Sequence, residues 1–141
     1  MVQVSRRFTM ALHMFACVIA FEGTGQKMTS EFMAQSIGTN PVVVRKLLQM
    51  LKAEGLLDVV RGAGGIKIVR SLEEISFLDV YRAVESTLAE SLFYFHGNPN
   101  PSCPVGRVIH DLLDEKLMQV QSAMEQTLDE LTLSDLQIQQ A

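Results

Sequence analysis

Between Thr39 and Gln49 the chain gathers side chains that suit the edge of a nucleic-acid duplex. Val42 offers an apolar group able to touch a thymine methyl. Lys46 offers an ammonium for a guanine edge or a phosphate, and Gln49 an amide able to read adenine. On a helix, at 100° per residue, Val44, Leu47, Leu48 and Leu51 make one apolar face, while Val42, Lys46, Gln49 and Ala53 fall on the opposite side with Arg45 on the flank. Thr39 and Asn40 stand at the start of that helix, where amide protons and side chains meet phosphates. An ordinary solvated face would carry the same residue types, so the segment alone leaves both readings open.

The second group able to do chemistry is Cys103. It precedes Pro104 at the head of the longest periodic segment, where a helix dipole lowers a thiol pKa. A thiolate there favours oxidation or alkylation, which makes Cys103 a candidate sensor. The alternative is a small capping or packing residue. Cys17, in an apolar stretch, reads as core, and His13 as a satisfied or exposed side chain. Two cysteines are too few for a disulfide framework or a four-ligand zinc site within one chain. Zinc or copper held between subunits by Cys103 and a histidine stays as a minor alternative. No paired carboxylates, no nucleophile with its base and no cofactor fingerprint are visible, so an enzyme is not expected.

These groups need elements to hold them. Phe8, Leu12, Phe15, Ala16 and Ile19 repeat at helical spacing and predict an amphipathic first helix. Arg6-Arg7 before an apolar stretch superficially resembles a secretory signal, but His13 interrupts the core, Glu22 follows it, and no small-x-small site appears before the Gly23 to Lys27 loop. Thr29 or Ser30 caps a second helix with Phe32, Met33 and Ile37 as its apolar positions, and Gly38 breaks it. Asn40-Pro41 opens a third helix that runs to Glu54 and stops at Gly55. Two helices about three residues apart are spaced as a helix-turn-helix.

The period then changes. Leu56, Leu57, Val59 and Val60, the tight turn Arg61-Gly62-Ala63-Gly64-Gly65, and Ile66 to Val69 predict a β-hairpin, with Ile66 and Ile68 on one face and Lys67 on the other. A phosphate-cradling loop is disfavoured, because strand follows turn where phosphate loops open a helix. Ser76 with Asp79 starts a fourth helix carrying Phe77, Leu78, Val80, Tyr81 and Val84, after a turn of helix at Leu72 to Ile75. Gly97-Asn98-Pro99-Asn100-Pro101 is a loop. From Val105 to Leu131 apolar residues recur at steps of three and four along about 40 Å of helix, longer than so small a core covers. Its stripe is expected to pack on a second subunit, and Thr132 to Leu136 to form a final helical turn.

Length and charge fit this plan. A chain of 141 residues, 48% hydrophobic and 20% charged, is one domain or one small domain with an extra element, and has no run of the roughly 18 apolar residues that span a membrane. The formal charge is −4, but it is divided unevenly. Up to Arg70 nine Lys and Arg face four acids, and beyond it three face twelve. A basic half on an acidic protein predicts a polyanion-facing surface, with accidental clustering as the bland alternative. The cysteine count points to a reducing cytoplasm.

The fold class is thus mainly α with a small β-hairpin wing, a winged helix-turn-helix followed by a long C-terminal dimerisation helix. Residues 1–85 are expected to form the DNA-binding domain, 86–104 a loop and candidate sensor region, and 105–141 the dimerisation helix and terminal segment. Asn40-Pro41-Val42-Val43-Val44-Arg45-Lys46-Leu47-Leu48, Gly55-Leu56-Leu57, the Arg61-Gly62-Ala63-Gly64-Gly65 wing, Ile75 to Val80, Cys103-Pro104-Val105-Gly106 and Thr132 to Leu136 together resemble the Rrf-two family of winged helix-turn-helix transcription regulators, over nearly the full length. The resemblance implies a homodimer on a roughly palindromic double-stranded DNA operator, acting as a repressor. It implies the third helix in the major groove and Arg61 in the neighbouring minor groove, where a narrow groove's potential suits a cation. It adds Asn40, Val42, Arg45 and Lys46 as contacts, with Ser5 and Arg6 on phosphate, beside Thr39, Gln49 and Lys67 from the residue reading. The family's iron-sulfur members hold their cluster with three cysteines, where this chain has Cys103 alone. No cluster and no other cofactor are expected, and the effector is unidentified. The competing reading is a winged-helix protein-interaction or scaffold module without sequence-specific DNA binding.

Overall fold

Two helices in the first half begin and end where the sequence supplies caps. The computed structural model describes residues 6–60, 65–85, 92–93 and 95–138. In α2 (Ser30–Ile37) the cap is Thr29, whose hydroxyl accepts from the Phe32 N–H at 3.0 Å. Gly38 ends that helix at φ +87, and the amides of Gly38 and Thr39 both close on the Ala34 carbonyl. Asn40 opens α3 (Pro41–Ala53) by accepting from the Val43 N–H at 3.1 Å, with Pro41 where a missing amide proton costs nothing. At its far end the Gly55 and Leu56 amides reach back to the Lys52 and Leu51 carbonyls, a C-terminal lock that needs the left-handed backbone of Gly55.

The first helix, α1 (Arg6–Ala20), buries Ala11, Met14, Phe15 and Cys17. This stripe differs from the expected one, since Phe8, Leu12 and Ile19 are half-buried at its margins. Packing explains the shift: α1 lies between α2 and α4 (Phe77–Val84), so its deepest face points between two neighbours. Phe8 meets Tyr81 of α4 edge-on, ring centroids 5.4 Å apart.

The hairpin pairs β1 (Leu57–Val60) antiparallel to β2 (Gly65–Ile68), with Leu57 opposite Ile68 and Val60 opposite Gly65. Ile66 is buried and Lys67 exposed, as alternation requires. A Cβ at Gly65 would stand 2.8 Å from the Met28 carbonyl oxygen, and its φ is +69, so the wing can lie this close to the segment before α2 only with glycine there. The turn that joins the strands, Arg61 to Gly64, lies outside the described residues.

A 3₁₀ turn at Leu72–Glu74 leads to α4, where Ser76 and Asp79 each bond the other's backbone N–H at 3.0 Å as a complete capping box. The longest element, α5 (Pro104–Glu130), spans 27 residues and buries none. After it a second 3₁₀ turn, Leu133–Leu136, packs back against α1 and the first 3₁₀ turn. The Phe77 N–H donates to the Leu131 carbonyl at 2.7 Å, the Leu133 N–H to that of Ile75 at 3.0 Å, and Leu133 is fully buried with Phe15, Leu47, Leu51 and Val80. Among the described residues no helix is long and apolar enough to cross a membrane.

Candidate nucleic-acid interface

The helix-turn-helix presents one continuous outward strip. Val44, Leu47, Leu48 and Leu51 are buried, which fixes the rotation of α3 about its axis. The opposite side is therefore turned to solvent: Val42 is 67% exposed, and Lys46, Gln49 and Ala53 are exposed beside it. An exposed valine between polar neighbours has no packing role within the chain, and an apolar group here is free to meet a base methyl. Asn40 is exposed and Thr39 half-buried at the helix start. Because the Asn40 carboxamide oxygen is engaged as the cap, its NH₂ is the group left to donate outward.

Arg45 is exposed but not idle. Its guanidinium reaches Glu31 of α2 at 3.0 Å, and both side chains are more than half exposed. The Glu31 carboxyl is held below its ordinary value first by its own N–H at the helix start and then by Arg45. Glu31 thus places a negative charge at the edge of the basic strip, a feature the sequence reading did not find. Two residues fourteen apart on different helices leave no periodic signal, and the pair emerges only from the angle between α2 and α3.

The remaining candidates divide. Arg6 is exposed at the first turn of α1, and Lys67 is exposed on β2. Asp58, the cross-strand partner of Lys67, directs its carboxylate to Lys52 at 3.7 Å and to the Val59 N–H at 2.8 Å instead. Lys46 and Lys67 have no ion pair among the described residues. Ser5 and Arg61 lie outside the described residues.

Cys103 is half-buried at the N-cap of α5. Its sulfur completes no capping hydrogen bond as a thiol, yet the Gly106 and then the Val105 amides favour the thiolate and hold the pKa below the ordinary value. Gly106 packs so tightly under the preceding loop that a Cβ would fall on the Asn100 carbonyl oxygen, which also accepts from the Cys103 N–H at 3.2 Å. Farther along, the His110 ring lies against Phe95 and His96, with its Nε2 2.9 Å from the His96 carbonyl. Cys17 is buried in α1, and its thiol donates to the Ser36 hydroxyl at 3.4 Å. His13, exposed, also meets Ser36, at 2.9 Å. Tyr81 packs on Phe8 and Phe95 on His110, and Tyr94 lies outside the described residues.

Residues 4–139 match the family model Rrf2, described as an iron-dependent transcriptional regulator. YwnA of Bacillus subtilis (strain 168), to which an HTH-type transcriptional regulator role is attributed, is 39% identical over 133 residues, covering 94% of this chain and 96% of that protein. A crystal structure attributed to a DNA-binding protein superposes with a TM-score of 0.71 at 36% identity, over 92% of this chain and 97% of the other. The oxidized form of Staphylococcus aureus CymR shares the fold at a TM-score of 0.72 and 20% identity, over 98% and 99% of the two chains. Iron, which the family's description implies, does not fit the donors here. Among the described residues no three of His, Cys, Asp and Glu are grouped to hold a metal. One thiolate at the head of α5 falls short of the four ligands of an iron-sulfur cluster. By sequence and by fold, the chain belongs to the Rrf2 family of winged-helix, DNA-binding transcriptional regulators, which are not enzymes.

Proposed function

We propose that the protein is a homodimeric, cytoplasmic repressor that binds a roughly palindromic operator and releases it when Cys103 is modified. The observation that carries this reading is the outward strip of α3, an exposed Val42 flanked by Arg45, Lys46 and Gln49 on a helix whose other side is locked into the core. In this reading α3 enters the major groove. Val42, Arg45, Lys46 and Gln49 face base edges or phosphate, Thr39 and Asn40 meet the backbone at the helix start, Ser5 and Arg6 hold phosphate, and Lys67 and Arg61 of the wing reach the neighbouring minor groove.

The dimer rests on α5. Val105, Val108, Leu112 and Val120 are 60, 42, 56 and 54% exposed on a helix with no buried residue, an apolar surface larger than a lone chain leaves open. Residues 1–85 then serve as the DNA-binding domain, 86–104 as the sensor loop and 105–141 as the dimerisation segment. Peroxide would transfer an oxygen to the Cys103 thiolate, giving a sulfenic acid. A small thiol would condense with it, releasing water and leaving a mixed disulfide. The added bulk sits at the turn that seats α5.

Selection of bound sequences from random duplex DNA tests the reading, using reduced protein first and diamide-treated protein second. The expected result is a palindromic consensus whose affinity falls steeply with salt and is lost on oxidation, with Cys103→Ser immune. No enriched sequence in either state would replace the reading with a scaffold role. Loss of binding by oxidized Cys103→Ser would remove the switch and leave the regulator.

A further inference from the structure

A cleft of about 530 Å³ opens between the wing, the loop after α1 and the segment leading to the first 3₁₀ turn. Its volume falls in the range that holds small organic ligands. Val18, Phe21, Ile68 and Leu72 line it and are partly buried hydrophobics at the margin of the core, so the cleft has an apolar floor. Lys27, Lys67 and Arg70 also line it, against a single acid, Glu22. None of these three cations has an ion pair among the described residues. The walls are tethered, because the close approach of Gly65 to Met28 pins the wing to the loop, and the Gln26 side chain folds back onto the Lys27 carbonyl at 3.1 Å.

We propose that this cleft binds a small amphipathic carboxylate, its hydrocarbon body on Phe21 and Ile68 and its charge toward Lys27 and Arg70. Unpaired cations beside an apolar floor suit a ligand with one anionic end and one apolar end, and suit neither a neutral nor a cationic one. Lys67 belongs both to this cleft and to the proposed DNA surface, so a bound anion competes with phosphate for it. The ligand also sits under the wing strand, where it sets the wing's position relative to α3. The site is distinct from Cys103, and its coupling to the operator rests on the DNA-binding reading, whereas ligand binding does not.

The test uses the reduced full-length chain without DNA, titrated calorimetrically with sodium 4-phenylbutyrate and with its neutral counterpart 4-phenylbutan-1-ol, while backbone amide NMR signals are followed. The carboxylate is expected to bind once per chain, roughly tenfold more tightly than the alcohol, as one charge-assisted contact allows. The Gly25, Lys27 and Ile68 amides should shift. Lys27→Gln and Arg70→Gln, both at exposed positions and so compatible with folding, should each weaken binding several-fold. No heat and no shift, equal binding of the alcohol, or shifts confined to α5 would each overturn the site. With the site established, an operator affinity indifferent to saturating 4-phenylbutyrate overturns the coupling. Carboxylate binding by a protein that binds no duplex would instead overturn the DNA reading and leave the site.

Discussion

Two helices of this chain share a periodicity and differ in what their apolar residues touch. In α3 the leucines and Val44 are less than a tenth exposed, and the exposed side is polar except for Val42 and Ala53. In α5 the same three-and-four spacing leaves Val105, Leu112 and Val120 more than half exposed. The spacing tells which residues share a face and not whether that face finds a partner within the same chain. For α3 the partners are α2, α4 and the hairpin base. For α5 too little of the chain remains to cover 27 residues, so the apolar face is completed by a second copy in the proposed dimer.

The largest expected effects test this contrast directly. Leu47→Ala, fully buried in α3, should cost about 2–5 kcal/mol of folding stability in a denaturant titration, as core truncations do. Leu112→Asp should leave the fold of the first 85 residues intact and split the dimer, read by sedimentation velocity as halved mass, with operator affinity collapsing because one half-site no longer assists the other. A Leu112→Asp protein that keeps its mass and affinity would break the comparison.

Next in size are the outward residues. Lys46→Ala and Arg61→Ala should each weaken operator binding by about 1–3 kcal/mol in fluorescence anisotropy while leaving the melting temperature unchanged. Lys46→Ala should also flatten the salt dependence by about one ion if its contact is a phosphate, and leave the slope alone while relaxing base preference if it reads a base. An unchanged affinity for either variant removes that residue from the interface.

Much of this architecture could be read from the residues. The Thr29, Asn40 and Ser76 caps, the Gly38 and Gly55 stops and the outward set of α3 each follow from local chemistry that tertiary packing does not oppose. What escaped were relations between segments distant in sequence. The burial of Leu133 and the bridge between Ser76 and Thr132 join residues over fifty positions apart, and Thr132 to Leu136 shows only that a turn forms. The pairing of Arg45 with Glu31, and the cleft shared by Lys27 and Arg70, likewise depend on how helices and hairpin are set against each other.

A smaller effect is expected at that pair. Glu31→Gln removes a negative charge from the edge of the strip and frees Arg45, so operator affinity should rise a few-fold. With both side chains solvated, the fold should hardly notice. The sign in pH follows from the lowered Glu31 pKa: the pair is present above the ordinary carboxylate range and is lost as pH falls through the folded value below 4.5. Glu31→Gln binding more weakly than the native chain would mean that Glu31 positions Arg45 for DNA rather than restraining it.

The smallest difference to measure separates the two cysteines. The Cys103 pKa is lowered from 9.0 by the amides of Gly106 and Val105, so between the lowered value and 9.0 more of it is thiolate than in an unfolded chain. Iodoacetamide should therefore modify Cys103 faster than the same residue in denatured protein across that window. The advantage should disappear above pH 9, where both are ionised, and the rate should fall as pH drops through the folded pKa. Cys17, buried beneath α2, should react only as fast as the domain opens, a rate set by unfolding rather than by pH. Gly106→Ala sharpens the contrast, because the new Cβ displaces the Asn100 carbonyl and with it the turn that aims those amides. Its Cys103 profile should move back toward that of an ordinary thiol, whereas a profile identical to the native one would assign the lowered pKa to something other than the geometry at the head of α5.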